Sequence, residues 1–585
     1  GRGFDSRPAH FDNMKFKELS QYFQRLEETT SRIEMSNILA EMLRKATHED
    51  IDKVVYLTLG EILPPFRGIQ MGVSEKLMMD ALSKASSVKI SQVEKLYKLK
   101  GDIGETAIEL VNWEGKELSV RQVYDELLDI ATTRGTKDKV LRIMSLIKGL
   151  SSLEAKYAAR IIVGRLRLGV GDATLIEALA NLINGKEYKD AIERAYNLCS
   201  DLGLVAKVLV QTGIEGIREF KIKVGYPIRM ALAERVTNVE EIIKRLGRCA
   251  IEAKYDGFRL QVHKKGKDIE IYSRNLERMT DMFPDVKEAV LQHVKCKEVI
   301  IEGEAITYNE ETGEFYPFQI TIQRKRKYGV SEYAKEFPLK LFTFDLLYLE
   351  GEDFTSKPFI ERRKRLEEIL PKNSLLLTSE MFITDNVKDI EKFFEDVVSR
   401  GLEGIMAKRL DAPYTAGSRN FNWIKLKRSY KGSLADTIDV VIVGYFYGKG
   451  ARTKLGIGAL LTALYDPQTD TFKTISKVGS GFTEDEWVKL KDLLDQIKIP
   501  HKHARVDSLL EADVWVEPKY VITVTADEIT RSPLHTAGRT SQEPGFALRF
   551  PRAVGFIRGD KKAEDANTVD EIVKMYKMQK KVSVE

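Results

Sequence analysis

The segment Glu252-Ala253-Lys254-Tyr255-Asp256-Gly257-Phe258-Arg259 sets a lysine just ahead of an Asp-Gly turn and an alternating stretch. As a bare Lys-x-Asp-Gly tetrad it reads as a surface turn with a solvated lysine, since so short a pattern arises by chance in roughly one of several chains of this length. Its neighbours change that reading. Downstream come the runs FRLQVHKK (258–265), DIEIYSRN (268–275), EVIIEGEAITY (298–308), LKLFTFDLLYL (339–349), EGIMAKR (403–409) and NWIKLKR (422–428). Their two-residue alternation and their β-branched and aromatic content predict strands. Helical or charged stretches separate them, so an α/β domain is expected over residues 221–428. Beyond Tyr430-Lys431-Gly432-Ser433 the runs DTIDVVIVGYFYGKG, IGALLTALYD, KTISKVGSGF and YVITVTADEITRS follow at shorter spacing. They predict a small β-barrel of the oligonucleotide-binding (OB) fold over 429–585.

Upstream the period changes. Residues 14–220 carry apolar side chains at three- and four-residue spacing, as in DKVLRIMSLIKGLSSLEAKYAARIIVGRLRLGVGDATLIEALANLI (138–183), punctuated by Gly149, Gly169 and Gly171. This predicts an all-α first domain. Ser151 and Glu154 have the spacing of a capping box, and Asp172 is read as an N-cap. Residues 1–13, GRGFDSRPAHFDN, precede Met14 and lack periodicity; they are read as a leader added for expression, outside the fold.

Bulk properties narrow the class. A chain of 585 residues is long enough for three or four domains, and 43 % hydrophobic with 31 % charged residues is the composition of a soluble globular protein. No apolar run approaches the ~18 residues of a membrane span, and no secretory-type leader is seen. The three cysteines, Cys199, Cys249 and Cys296, are too few and too far apart for a disulfide framework. Cytoplasmic residence is the expectation. The net charge of +5 is a small remainder of 93 basic and 88 acidic residues, so a nucleic-acid partner must be argued from local clusters rather than a global field. Many charges of both signs and few cysteines also fit a heat-adapted protein.

The tetrad is followed, in order, by Ser273-Arg274-Asn275, Glu302-Gly303-Glu304, Phe344-Asp345-Leu346-Leu347, Glu403-Gly404-Ile405-Met406, Trp423-Ile424-Lys425-Leu426-Lys427 and Arg558-Gly559-Asp560-Lys561. In order and spacing this series resembles the covalent nucleotidyltransferase superfamily of ATP-dependent DNA ligases, RNA ligases and mRNA capping enzymes. The resemblance implies that Lys254 is the nucleophile and carries AMP as a phosphoramidate. The chemistry is demanding, because an ordinary lysine of pKa ~10.4 is almost fully protonated at neutral pH. Burial and nearby positive charge favour the neutral amine. Lys425 and Lys427, two apart on one strand face, suit a triphosphate clamp and such a role. The resemblance further assigns Glu304 to the ribose and, with Glu403, to a divalent metal, Mg²⁺ by its taste for hard oxygens with Mn²⁺ as a substitute. Phe344 would stack on adenine; Phe342 lies on the same face, and a core role is as open to the one as to the other. Glu252 would accept the adenine amino group, favouring ATP over GTP. Arg259 and Arg274 would hold phosphate through planar forks. Arg552, Arg558 and Lys561 would orient the pyrophosphate from the last domain, with Ser429–Ser433 as its hinge.

Within the superfamily, the helical first domain points to DNA ligases. The stretch Arg160-Ile161-Ile162-Val163-Gly164-Arg165-Leu166-Arg167-Leu168-Gly169-Val170-Gly171-Asp172 is similar to the DNA-binding domain of archaeal and eukaryotic replicative ligases. Glycines at a helix N-terminus admit a phosphate to backbone amides, and Arg165 and Arg167 add charge without reading bases. Arg165, Arg167, Gly169 and Gly171 are therefore the expected DNA contacts, and Arg324-Lys325-Arg326-Lys327 is either a further one or a solvated loop. The reading is a monomeric, ATP-dependent ligase that seals nicked duplex DNA. A sliding clamp is a family-level expectation only, since Gln92-Val93-Glu94-Lys95-Leu96-Tyr97 reads better as a helix face than as a clamp peptide. The rivals are an RNA ligase or capping-type enzyme and a non-catalytic DNA-binding clamp.

Overall fold

The computed structural model describes residues 13–309, 314–315, 321–326, 329–370, 375–400, 402–427, 437–448, 454–526, 528–549 and 551–582. They fall into two compact units, Gly1–Lys221 and Ile222–Glu585.

The first unit is helical, with twelve α-helices among its described residues, from Phe16–Glu28 to Leu202–Arg218. Their amphipathic spacing builds the core: helix Phe16–Glu28 buries Phe16, Leu19, Tyr22, Phe23 and Leu26 on one stripe. Helix Ser152–Ile162 starts with the Ser151/Glu154 capping box. Its Arg160 is only 3 % exposed and is held by Asp102 and Glu27, each at 3.0 Å. One expectation shifts by a residue. Gly171, in an extended conformation, is the N-cap of helix Asp172–Leu182, so Asp172 lies inside the first turn. There its carboxylate still faces the positive end of the helix dipole and accepts the Tyr196 hydroxyl at 2.5 Å. Gln92–Tyr97 lies within helix Ile90–Lys100.

The second unit opens with two sheets. Its strands, in chain order, are β1 (Leu232–Arg235), β2 (Cys249–Lys254), β3 (Phe258–Lys265), β4 (Asp268–Ser273), β5 (Glu298–Asn309), β6 (Glu314–Phe315), β7 (Leu339–Leu349), β8 (Glu352–Asp353), β9 (Leu376–Thr378), β10 (Met381–Thr384), β11 (Gly404–Arg409) and β12 (Arg419–Lys427). One sheet runs β1-β12-β11-β2-β10 and the other β4-β3-β5-β7-β8, with β6 on β5 and β9 on β7. Alternation decides which face is dry. Ile251, Ala253, Ile405, Ala407, Ile424 and Leu426 of the first sheet sit in one apolar core, and Leu260, Val262, Ile301 and Leu341 of the second in another. Among the intervening residues, Glu252, Lys254, Arg259, Glu304, Lys425 and Lys427 line a shared cavity. A slip of one residue in any of these strands would exchange the two faces.

The alternation in β7 is interrupted. Glu302 pairs with Asp345 and Gly303 with Thr343, which leaves Phe344 as the extra residue of a bulge. Before it Phe342 packs in the core under the first sheet, and after it Leu346 belongs to the opposite core. Arg324 departs from both sequence readings of its basic cluster. It is 1 % exposed, grips Asp285 at 2.9 and 3.0 Å, and donates to the Phe337 carbonyl, so it closes a fold rather than a DNA surface. Lys325 pairs with Glu277 at 2.7 Å, Arg326 lies over the Tyr333 ring, and Lys327 falls outside the described residues.

The barrel follows with β13 (Thr437–Phe446), β14 (Ala459–Asp466), β15 (Thr471–Val478), β16 (Lys498–Ile499), β17 (Val506–Asp507), β18 (Val514–Val516), β19 (Val521–Thr525), β20 (Glu528–Ser532), β21 (Gly545–Arg549) and β22 (Arg552–Ile557). Its main sheet runs β16-β18-β13-β14-β15-β17, with β19 bridging β13 and β22 and the hairpin β20-β21 beside it. Ile438, Val440, Ile442, Leu460, Leu464 and Trp487 fill the interior, and helix Val569–Val582 packs on with Ile572 and Met575. The hinge expected at Ser429–Ser433 lies outside the described residues.

Candidate active site

Three neighbouring strand ends set up the site. The register places Gly404 at the start of β11 opposite both Lys427 of β12 and Lys254 of β2. Glu403, one residue earlier, donates its N–H to the Lys254 carbonyl at 3.1 Å, which stands its carboxylate between the two lysines. Lys427 Nζ is 2.5 Å from Oε1 and Lys254 Nζ contacts Oε2. Burial alone would raise the Glu403 carboxyl; the two ammoniums outweigh it and hold it well below its ordinary value. Gly404 has φ +150°, and a Cβ there would lie 2.1 Å from the Leu426 carbonyl oxygen, so the turn that aims Glu403 requires glycine.

The polar face of this sheet presents Glu252 and Lys254 from β2, Met406 and Lys408 from β11, and Trp423, Lys425 and Lys427 from β12 to a cavity of about 440 Å³. That is within the usual range for a small-molecule site. Burial pulls the Lys425 ammonium well below its ordinary pKa, with Glu571 offsetting part of the shift. At the far end Glu252 is 2 % exposed and accepts from Arg363 Nη1 at 2.8 Å, Ser379 Oγ at 2.9 Å and Lys408 Nζ at 2.6 Å.

The second sheet forms the opposite wall. Gly257, in the turn after Lys254 and Asp256, donates its N–H to Glu304 Oε1 at 3.2 Å. Burial pushes the Glu304 carboxyl up to about 7 against the pull of Lys254 and Arg259. Arg259 donates to Glu302 Oε2 at 2.8 Å and to the Ala231 carbonyl at 2.7 Å, and lies over the Phe344 and Trp423 rings. The two phenylalanines of β7 divide the roles left open by the sequence. Phe342 is stacked on Tyr255, 3.9 Å between centroids and 12° between planes, and belongs to the core, whereas Phe344 lines the cavity.

The barrel supplies the third wall. Arg558 holds Asp560 through two parallel bonds of 2.9 and 2.8 Å, and Lys561 Nζ contacts Asp439 Oδ2. Burial would raise the Asp439 carboxyl, but Lys561 and Arg558 hold it far below its ordinary value. Arg274 approaches Asp565 at 3.6 Å, and Glu571 meets Arg419.

Lys254, Glu252, Arg259, Arg274, Glu304, Phe344, Glu403, Lys425, Lys427, Arg558 and Lys561 thus line one cavity. Arg552 does not: it is exposed at the start of β22, opposite Thr525. In the helical unit Arg165 pairs with Glu75 at 2.6 Å and Arg167 with Asp102 at 2.8 Å, while Gly169 adopts φ +70° in the loop that leads to Gly171 and the next helix. Sequence reasoning missed Arg363, Ser379, Lys408, Asp439 and Glu571. Lys408 alone carried a signal, since it follows Met406 by two residues on a strand that alternates with core positions.

The donor set around Lys254 fits a divalent cation. Glu403, Glu304 and Asp256 offer hard carboxylate oxygens, yet among the described residues no group of three or more such side chains could hold a metal alone. That is the chemistry of an ion shared between one or two carboxylates and substrate phosphates.

A lysine ringed by cations and carboxylates, at the junction of two antiparallel-rich sheets and under a β-barrel, fits the chemistry of nucleotidyl transfer. The comparisons with known proteins narrow the class. Residues 15–180 match the family described as DNA ligase N terminus, 230–427 the ATP dependent DNA ligase domain and 453–561 the ATP dependent DNA ligase C terminal region. The chain is 54 % identical over 576 residues to the probable DNA ligase of Dictyoglomus turgidum, spanning 98 % of this chain and 99 % of that one. It is 42 % identical over 595 residues to the DNA ligase of Sulfolobus acidocaldarius, again across 98 % and 99 % of the two. Among solved structures, mycobacterial DNA ligase D complexed with ATP and MES is similar at 24 % identity and TM-score 0.33, over 58 % of this chain and 97 % of that one. The chain belongs to the ATP-dependent DNA ligase family. With membership come ATP, a divalent metal and nicked DNA, and the RNA ligase, capping and non-catalytic readings are not favoured. Among the described residues no helix is long and apolar enough to cross a membrane.

Proposed function

We propose that Lys254 is the nucleophile of a three-step ligation, in domains spanning 14–220, 221–428 and 429–585. Its Nζ lone pair attacks the α-phosphorus of ATP, the bond to the bridging oxygen breaks and pyrophosphate leaves. The resulting phosphoramidate then yields its AMP to the 5′-phosphate at a nick, freeing the lysine. Last, the adjoining 3′-hydroxyl attacks that phosphorus and expels AMP. The observation that carries this reading is the convergence of Lys254, Lys425, Lys427, Arg558 and Lys561 on one cavity, a nucleophile among the cations a triphosphate needs. Preorganised charge of this kind supplies most of the catalysis.

Phe344 stacks on the adenine, Glu252 accepts its amino group, Glu304 takes the ribose, and Arg259 and Arg274 serve phosphate oxygens. Glu403 and Glu304 would hold the metal, Mg²⁺ with Mn²⁺ as a substitute, which when bound neutralises charge building on the phosphates. Arg165, Arg167 and the amides near Gly169 and Gly171 hold the DNA backbone. Arg552, exposed and outside the cavity, is given no part in holding the pyrophosphate. On the same reading the enzyme is a cytoplasmic monomer. A sliding clamp remains a family-level partner, which Gln92–Tyr97, lying inside a helix, does not strengthen.

The test follows the label of α-labelled ATP. Wild-type protein loaded with label and freed of nucleotide should pass it to nicked duplex DNA, with little transfer to nicked RNA. Lys254→Ala should take up no label, yet should seal a nick that already carries AMP far better than it completes the whole reaction. Equal loss in the two assays would show that Lys254 has another role.

A further inference from the structure

The base-reading end of the cavity is more elaborate than a single acceptor requires. A carboxylate has about four lone-pair positions, and three of those on Glu252 are taken. Arg363 Nη1 and Ser379 Oγ fill Oε1, and Lys408 Nζ fills one position of Oε2. Arg363 is itself fixed, donating to Ser379 Oγ at 2.7 Å and to the Ser379 carbonyl at 2.5 Å. The remaining acceptor position is therefore on Oε2, beside Lys408. That lysine, 1 % exposed, lies 4.7 Å from the Phe344 ring centroid and 4.2 Å from that of Trp423. One buried ammonium touches both the hydrogen-bonding carboxylate and the aromatic platform.

We propose that Lys408, supported by Ser379 and Arg363, is the residue that makes this site specific for 6-aminopurine nucleotides. The inference rests on the reading of Glu252 as the partner of the base. A 6-amino group offers a donor to the open position on Oε2. A 6-oxo group sets an acceptor against a carboxylate that already has its donors and cannot turn to present anything else. Without Lys408 both positions of Oε2 are open, so a 6-oxopurine can shift to bring its N1–H to the carboxylate and becomes acceptable. Sites that leave buried polar groups unmatched by the wrong substrate discriminate most strongly.

The experiment measures covalent labelling of the full chain from α-labelled ATP and from α-labelled ITP, which carries a 6-oxo group and an N1–H in place of the 6-amino group and the N1 acceptor. The wild type should strongly prefer ATP. Lys408→Met should lower the rate with ATP and raise or spare that with ITP, so that the ATP/ITP ratio falls at least about tenfold, the scale of one charge-assisted hydrogen bond. Ser379→Ala, a smaller change that keeps the fold if Lys408→Met does not, should move the ratio the same way by about threefold. A parallel fall with both nucleotides, at an unchanged ratio, would make these residues mere supports and overturn the inference. Glu252→Gln separates the two levels. If it leaves the ratio at the wild-type value, Glu252 does not read the base. If it moves the ratio while Lys408→Met and Ser379→Ala do not, the base reading stands and the role given to Lys408 falls.

Discussion

At Gly257 a Cβ would sit 2.1 Å from the carbonyl oxygen of Ala305 and 2.9 Å from its carbonyl carbon. Both atoms belong to β5, which is paired on both sides and cannot yield, so the turn itself would have to move. That turn carries Lys254 and Asp256 and gives Glu304 its backbone donor. Gly257→Ala should therefore cut the rate of self-adenylation about a hundredfold, as small misplacements of a nucleophile do. Its thermal midpoint should drop by only a few degrees; an unchanged rate would mean that the turn tolerates displacement. The resemblance of the ordered motifs singled out Lys254, Glu304, Lys425 and Lys427, strand alternation put the two last on one face, and all four line the one cavity. Arg363 and Ser379 were not legible in the sequence. They lie 111 and 127 residues from the carboxylate they serve, and nothing local marks an arginine in a charged helix as buried.

Strands with clean alternation were readable as elements: FRLQVHKK is β3 and LKLFTFDLLYL is β7, end to end. The short β1 and β10 were not, since four residues give too little pattern, and neither was the bulge at Phe344, which arises from pairing with β5 rather than from β7 alone. β3 also does work that its pattern hides. His263 accepts the Gly225 N–H at Nδ1 (3.0 Å) and pairs through Nε2 with Gln261 Oε1 at 2.8 Å, which assigns the neutral Nε2–H tautomer. Gln261 in turn clasps Ile228 N and O at 2.8 and 2.9 Å, fastening the segment that leads into the sheets. Burial pulls the His263 pKa down to about 3. Its folded pKa thus lies below the unfolded ~6.5, the unfolded chain binds the extra proton, and the stabilisation is whole above pH 6.5 and lost as pH falls toward 3. Each unit in that window costs up to ~1.4 kcal/mol. Urea unfolding at pH 7, 6 and 5 should show the wild type losing stability on acidification. His263→Gln, less stable at pH 7, should show a flatter slope although His503 and His535 still titrate. Identical slopes would remove His263 from the acid response.

At the scale of the molecule, the order helical domain, α/β core and barrel could be read from changes of period alone, while the seating of the barrel on the core could not. Residues 428–436, which join the two, lie outside the described residues, and the seating depends on contacts between segments far apart in sequence. Glu571 of the last helix meets Arg419 of β12, Arg235 Nη1 reaches Met575 Sδ at 3.7 Å, and Lys574 approaches Glu234 at 3.6 Å. These contacts hold Arg558 and Lys561 in the cavity beside Lys254. On the proposed cycle self-adenylation needs them there and sealing needs the cavity mouth for DNA, so the same contacts would favour the first step and oppose the last. Glu571 is 2 % exposed, and its removal leaves the largely buried Arg419 without its anion, a costly loss for a buried pair. Glu571→Ala should therefore slow labelling by α-labelled ATP about tenfold or more. Sealing of a nick that already carries AMP should stay at the wild-type rate or exceed it. Added salt should reproduce part of this in the wild type, because the Lys574–Glu234 contact is partly exposed and screened. A parallel fall in both steps would show that Glu571 supports the fold of the cavity and does not govern the seating of the barrel.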